Sequence, residues 1–244
     1  MSDNRALAGK VALVTGGGRG IGRATALALA RRGADIAVCA RTQHEIEVVA
    51  AEIEGEGSRA LAVVADIAVE DEIAAVVDRV RSALGPVDIL VNNAGTIAFA
   101  PIAETRTETW DRLMAVNLRA TFLFCRAVWP EMVARGGGTI VNVASTAGHR
   151  GYPRQGAYVA SKHGVVGLSK VLAIEGQAHG VRVHVVSPGG VDTALTREWR
   201  DDVDFEEFIE PDQVAEVIAF LACQGGQGTI DEIVLRRYQA EPWR

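Results

Sequence analysis

Three observations predict an α/β fold wound on a parallel sheet. Short apolar, β-branched runs alternate along the chain with longer amphipathic stretches. The runs are apolar at nearly every position, as strands buried on both faces require. Glycines (Gly33, Gly85, Gly136 to Gly138, Gly180) stand where the intervening helices should stop. Candidate strands cover 11–15, 35–40, 60–65, 89–91, 139–144, 181–187 and 232–235, and candidate helices 21–32, 43–54, 70–84, 108–134, 157–179 and 211–222. Repeated strand–helix–strand units give a doubly wound sheet of about seven strands with helices on both faces. No domain boundary interrupts the alternation, so residues 1–244 read as one unit.

The first strand runs into Thr15-Gly16-Gly17-Gly18-Arg19-Gly20-Ile21-Gly22, and an apolar helix follows at once. Glycine lets the backbone turn tightly and approach a diphosphate, while the helix start offers free N–H groups and the positive end of a dipole. This is the Rossmann-type arrangement for a dinucleotide, although the glycines do not keep the strict GxGxxG spacing. A glycine turn by itself can be merely structural; its place between the first strand and first helix favours a ligand.

The second strand ends at Ala40-Arg41, with no acid to meet a ribose 2′-hydroxyl. Arg41, with Arg19 from the glycine turn, suits a 2′-phosphate through charge-assisted bidentate hydrogen bonds. The coenzyme expected is therefore NADP(H). Asp66 closes the third strand; it either accepts from the adenine amino group while Ile67 packs on the ring, or caps the next helix. The fourth strand ends in Asn92-Asn93-Ala94-Gly95. Small residues there suit a crevice crossed by ligand, with Asn92 expected to brace the sheet and Asn93 to face the cofactor.

The fifth strand ends at Ser145, and the helix beyond carries Tyr158 and Lys162 one turn apart on one face. That spacing alone is common. Ser145 raises its weight, because the glycine-containing segment between can fold the two hydroxyls together. A free tyrosine titrates near ~10, so proton exchange at neutral pH needs about 4 kcal/mol of differential stabilisation. A lysine ammonium supplies part of it by favouring phenolate, and Ser145 can orient a substrate carbonyl.

With these residues in place, the chain resembles the short-chain dehydrogenase/reductase family in its single-domain form. The resemblance rests on the glycine turn, Asp66, Asn92 to Gly95, Asn117, Ser145, Tyr158, Lys162 and Pro188-Gly189 through Thr193. It implies hydride transfer between NADP(H) and a ketone, aldehyde or secondary alcohol. It also implies that Asn117 is a fourth catalytic residue, at a helix distortion where its carbonyl holds a water linking Lys162 to solvent. Pro188, Gly189, Val191 and Thr193 would form the nicotinamide-side loop, with the Val191 backbone on the carboxamide and Thr193 on the amide or a phosphate. A homo-oligomer, tetramer or dimer, would pair through the helices of 108–134 and 157–179.

The chain departs from the family pattern at its end. Members such as 3-oxoacyl-carrier-protein reductases close with Asp-Gly-Gly, whereas this chain reads Asp231-Glu232-Ile233-Val234-Leu235-Arg236-Arg237. That end looks more like members acting on small hydroxy acids or aldehydes. Pro242 and Trp243 suggest a docking tail or a solvated one. His149, Tyr152 and Gln155 are expected to line substrate space.

Composition narrows the classes. The 244 residues are 48% hydrophobic and 23% charged, with net charge -6. An acidic chain without a basic block is a poor nucleic-acid binder. No apolar run reaches membrane-spanning length and the amino terminus lacks a signal-peptide core, so a cytoplasmic protein is expected. Cys39, Cys125 and Cys223 lie far apart in apolar runs and read as buried thiols, and no metal-ligand spacing occurs. Two rival readings keep the fold. A dinucleotide-sensing regulatory protein should lack the proton donor, and a sugar-nucleotide epimerase or dehydratase needs a larger C-terminal substrate region.

Overall fold

A computed structural model describes residues 5–199 and 204–242. Seven strands form one sheet in the order β3-β2-β1-β4-β5-β6-β7, with every neighbouring pair parallel. They are β1 (Val11–Thr15), β2 (Asp35–Ala40), β3 (Ala60–Val64), β4 (Ile89–Asn92), β5 (Gly138–Val143), β6 (Val181–Pro188) and β7 (Glu232–Leu235). The sequence places all seven within a residue of these bounds.

Strand alternation divides the core into two layers. Ala12, Val14, Ile36 and Val38 face α1 (Gly20–Arg31), α2 (Gln43–Gly55) and, further along the sheet, α8 (Pro211–Ala222). Val11, Leu13, Ala37 and Cys39 face α3 (Glu70–Ala83) and α5 (Ala120–Ala134). Burying a side chain such as Phe124 or Leu13 completely contributes roughly 1.5–3 kcal/mol. The strand order reverses between β1 and β4. The carboxyl ends of those strands therefore open a crevice, the usual ligand position in a doubly wound sheet.

The helix expected over 108–134 is divided. α4 (Thr107–Leu113) passes into a π-helical turn, Met114–Arg119, before α5 begins. Asn117 lies in this turn and is 1% exposed. The wider i→i+5 turn inserts a residue and redirects the side chain that follows. Between β6 and α8 lie α7 (Ala194–Trp199) and a 3-10 turn, Phe205–Glu207. Thr193 caps α7 by accepting from Thr196 N at 3.2 Å, a short-range bond that hydrophobic periodicity does not report. The remaining long helix is α6 (Gly156–Gln177).

Cys39 and Cys125 are buried, and burial pushes both thiols up to about 12. Cys223 corrects the expectation: it follows the last turn of α8 and is exposed. No described helix is long and apolar enough to cross a membrane. Trp243 of the expected tail lies outside the described residues.

Candidate active site

The glycine turn leaves β1 with Gly16 at φ 66° and Gly20 at φ 54°, conformations that strain any other L-residue. Gly22 is required by space, since a Cβ there would lie 2.1 Å from the Gly16 carbonyl oxygen. No side chain caps the first turn of α1 and that turn holds no acid, so its N–H groups are oriented for an anion. Thr15 ties the turn to β4: its hydroxyl accepts from Asn93 N and Ala94 N, each at 3.1 Å.

Asn93 does not present its side chain as expected. Its Nδ2 donates to the Thr15 carbonyl at 2.9 Å and the Gly16 carbonyl at 3.2 Å. The amide is thus committed to holding the glycine turn. Asn92 braces the sheet, donating to Asn142 Oδ1 at 2.9 Å.

At the second strand, Arg41 is exposed and Arg19 projects from the glycine turn. An acid without a signal in the sequence also stands here. Glu45, in the first turn of α2, stands 3.7 Å from Arg19 and packs beside Gly18. Asp66 is not the N-cap of α3, a position held by Val69. Its carboxylate accepts from Ala68 N at 3.0 Å and pairs with Arg112 at 3.2 Å. Burial pushes that carboxyl up, but the Ala68 N–H, Arg112 and Arg41 together hold it below the usual range. Ile67 is buried among apolar side chains.

The four candidate catalytic residues converge where β4, β5 and α6 meet. Lys162 is 4% exposed; its Nζ donates to the Val143 carbonyl at 2.9 Å and lies 5.9 Å from the centre of the Tyr158 ring. Burial pulls the ammonium down to about 8. Tyr158 is half-buried. Burial raises its hydroxyl above the usual phenol value, against the opposing hydrogen bond with Ser145. Proximity to Tyr152 raises it further.

Asn117 is fixed from three sides. Its Oδ1 accepts from Thr96 N at 2.8 Å, and its Nδ2 donates to the Thr96 carbonyl at 2.9 Å and to Ser161 Oγ at 3.0 Å. Ser161 in turn donates to the Tyr158 carbonyl at 2.7 Å. This buried hydroxyl links Asn117 to the helix turn that carries both Tyr158 and Lys162. Nothing in its sequence position singled it out. The Asn117 main-chain carbonyl accepts from the Thr121 hydroxyl at 3.0 Å. A Cβ on Gly95 would lie 3.5 Å from Asn117 Oδ1 and 3.7 Å from Lys162 Nζ, so the end of β4 runs directly past the pair.

The segment after β6 borders the same crevice. Thr193 comes within 3.2 Å of a Cβ placed on Gly20, which sets it beside the glycine turn. Gly189 N donates to the Leu235 carbonyl at 2.7 Å. Val191 bridges Ile209, but the bonds made use Asp192 N and the Gly190 carbonyl, not Val191's own N–H or C=O.

The three residues expected around the substrate are placed differently from one another. Tyr152 accepts from Arg150 Nε at 2.6 Å and meets Thr146 Oγ1 at 3.0 Å. Gln155 is the N-cap residue of α6 and bridges Ala100. His149 turns its ring toward the far end of the sheet, with Nε2 2.7 Å from Glu232 and 2.9 Å from Ser187 Oγ. Across the cleft, Phe99 and Trp199 stack at 5.8 Å and Phe208 packs on Gly190.

A family model described as short chain dehydrogenase matches residues 10–204, and the chain belongs to that family of oxidoreductases. Among curated relatives, it is 42% identical to a D-threitol dehydrogenase of Mycolicibacterium smegmatis, over 88% of this chain and 86% of the relative. It is 37% identical to a 3-oxoacyl-[acyl-carrier-protein] reductase of Staphylococcus epidermidis, over 87% and 91%. Among solved structures, a metagenomic short-chain oxidoreductase in complex with NADP superposes with TM-score 0.84 at 40% identity, covering 95% of this chain and 98% of that one. A short-chain dehydrogenase/reductase from Mycobacterium marinum gives 0.88 at 33%, covering 98% and 99%.

Proposed function

We propose that this oxidoreductase transfers hydride between NADP(H) and a small carbonyl compound, ketone or aldehyde, or the corresponding secondary alcohol. The observation that carries the reading is the approach of Lys162 and Asn117 to Gly95 at the sheet reversal, with Lys162 Nζ 5.9 Å from the centre of the Tyr158 ring. The uncapped start of α1, with Gly16 and Gly20 at positive φ, fits a diphosphate, and Arg19 and Arg41 fit a 2′-phosphate. The NADP complex of a 40% identical structure supports the same coenzyme.

When bound, the nicotinamide supplies or accepts the hydride. In the reducing direction Ser145 donates a hydrogen bond to the substrate carbonyl and Tyr158 delivers the proton as alkoxide develops. Lys162 lowers the cost of the phenolate left behind and holds the nicotinamide ribose. Asn117 fixes the turn that positions both. The Val191 backbone would hold the carboxamide, and Thr193, beside the glycine turn, the amide or a phosphate. Reduction is the expected direction, because cells usually keep NADPH reduced.

D-threitol dehydrogenase in the relative's name and the missing Asp-Gly-Gly close favour a small hydroxylated substrate over an acyl-carrier thioester. The complete Ser–Tyr–Lys–Asn set argues against a purely regulatory dinucleotide binder. The working form is a single-domain cytoplasmic homo-oligomer, dimer or tetramer. Exposed Phe122 on α5 and Val171 and Ile174 on α6 supply apolar surface for its interface. The test is NADPH absorbance with a panel of ketones, aldehydes, C4 and C3 polyols (with NADP+) and 3-oxoacyl thioesters. Turnover of a small carbonyl or polyol supports the reading, and exclusive turnover of the thioester overturns the substrate assignment.

A further inference from the structure

Glu232 lies outside the family's catalytic set, yet it reaches the turn after β5 and the end of β6, which flank the candidate reaction centre. It is the first residue of β7, in register with Val185 of β6. Its Oε1 lies 2.7 Å from His149 Nε2 and accepts from the Ser187 hydroxyl at 3.2 Å. His149 Nε2 and Ser187 Oγ are themselves 2.9 Å apart. An ionised carboxylate only accepts, so the proton shared with His149 sits on Nε2. One carboxylate oxygen thereby gathers an imidazole from the turn after β5 and a hydroxyl from the end of β6.

Each of those groups is coupled to the centre by a short, stiff connection. His149 follows the 3-10 turn Thr146–Gly148, whose start is capped by Ser145 through Ala147 N at 3.1 Å, and His149 N donates to Thr146. Ser187 is fully buried and immediately precedes Pro188-Gly189, the start of the proposed nicotinamide-side loop. The same strand holds that loop a second time through Gly189 N and the Leu235 carbonyl.

We propose that Glu232 is a positioning residue for hydride transfer: through His149 and Ser187 it fixes the loop carrying Ser145 relative to the loop expected to hold the nicotinamide. The inference rests on the oxidoreductase reading above. A carbonyl held by Ser145 and a nicotinamide held after Ser187 must approach in a narrow geometry, and displacement by about 1 Å can cost on the order of 100-fold in rate. The chemistry of hydride and proton transfer is unchanged by this role; only its alignment depends on Glu232.

The test uses the full-length enzyme with NADPH and its best carbonyl substrate. Glu232→Ala and His149→Ala should each lower kcat about 10- to 100-fold, with the NADPH dissociation constant held within about threefold. The double variant should fall no further than either single one, as expected of residues acting as a unit. His149→Gln places an N–H donor near the Nε2 position and should recover most of kcat, and the isosteric Glu232→Gln provides a variant least disturbing to the fold. Thermal melting monitors folding of each. Unchanged kcat in folded Glu232→Ala and Glu232→Gln overturns the proposal, as do multiplicative losses in the double variant or no rescue by His149→Gln. Wild-type enzyme without any carbonyl or alcohol turnover overturns the parent reading instead.

Discussion

Lys162 donates to the Val143 carbonyl at 2.9 Å while standing 5.9 Å from the centre of the Tyr158 ring. The ammonium is thus held by a backbone acceptor inside a buried site, and burial brings its pKa down to about 8. Two consequences follow, one for rate and one for stability.

Lys162 assists Tyr158 only as a cation. In the reducing direction kcat/KM should be level near neutral pH and fall as pH rises through about 8. Tyr158 itself, raised by burial in the free enzyme, stays protonated over that range. A pH profile with NADPH between 6 and about 10 checks this, and a profile level throughout would contradict it.

The same burial disfavours the folded state whenever Lys162 is charged. Its folded value is depressed from 10.5 to about 8. At neutral pH that corresponds to a cost of about 3 kcal/mol. The unfolded chain binds the proton more tightly, so this penalty is full below the folded value and fades as pH rises from about 8 toward 10.5. Lys162→Met should abolish most activity yet raise the stability of the coenzyme-free protein at pH 7 by ~1–2 kcal/mol, after loss of the Val143 hydrogen bond. Chemical denaturation of both proteins at pH 7 and near 10 measures it, and the gap should narrow at the higher pH.

Coenzyme choice gives a third prediction. Arg19→Ala and Arg41→Ala should each lower kcat/KM for NADPH about 10- to 100-fold, the loss of a charge-assisted hydrogen bond worth ~1.5–3 kcal/mol. Values for NADH should change little. Glu45→Gln removes the acid 3.7 Å from Arg19 and should improve NADPH a few-fold. Equal losses with both coenzymes would point away from a 2′-phosphate site.

How much of this was legible in the chain differs by element. The strands were readable because each is an apolar run between turn residues, and three of the seven match to the residue. Tyr158, Lys162 and Ser145 were readable as a constellation because one helix and one strand end supply them. The π-helical turn was not. Only the family resemblance implied a distortion at Asn117; periodicity gave an unbroken helix, because it does not connect Asn117 with Thr96 and Ser161. Asn93 was read at the crevice, but the bonds of its amide were not legible, since the Thr15 and Gly16 carbonyls approach it only after β1 and β4 pair. The partners of His149 were hidden for the same reason: Ser187 and Glu232 come from two later strands. Glu45 and Ser161 carried no signal, being an ordinary helix acid and an ordinary helix serine.

The central claim is that Tyr158 exchanges the proton that accompanies hydride transfer. The most direct measurement is NADPH oxidation by wild type and Tyr158→Phe on the same carbonyl substrate, with NADPH binding followed by fluorescence. Loss of a general acid should lower kcat about 100- to 10,000-fold while the NADPH dissociation constant stays within a few-fold. Wild-type turnover in the phenylalanine variant, with coenzyme bound as before, would contradict the assignment.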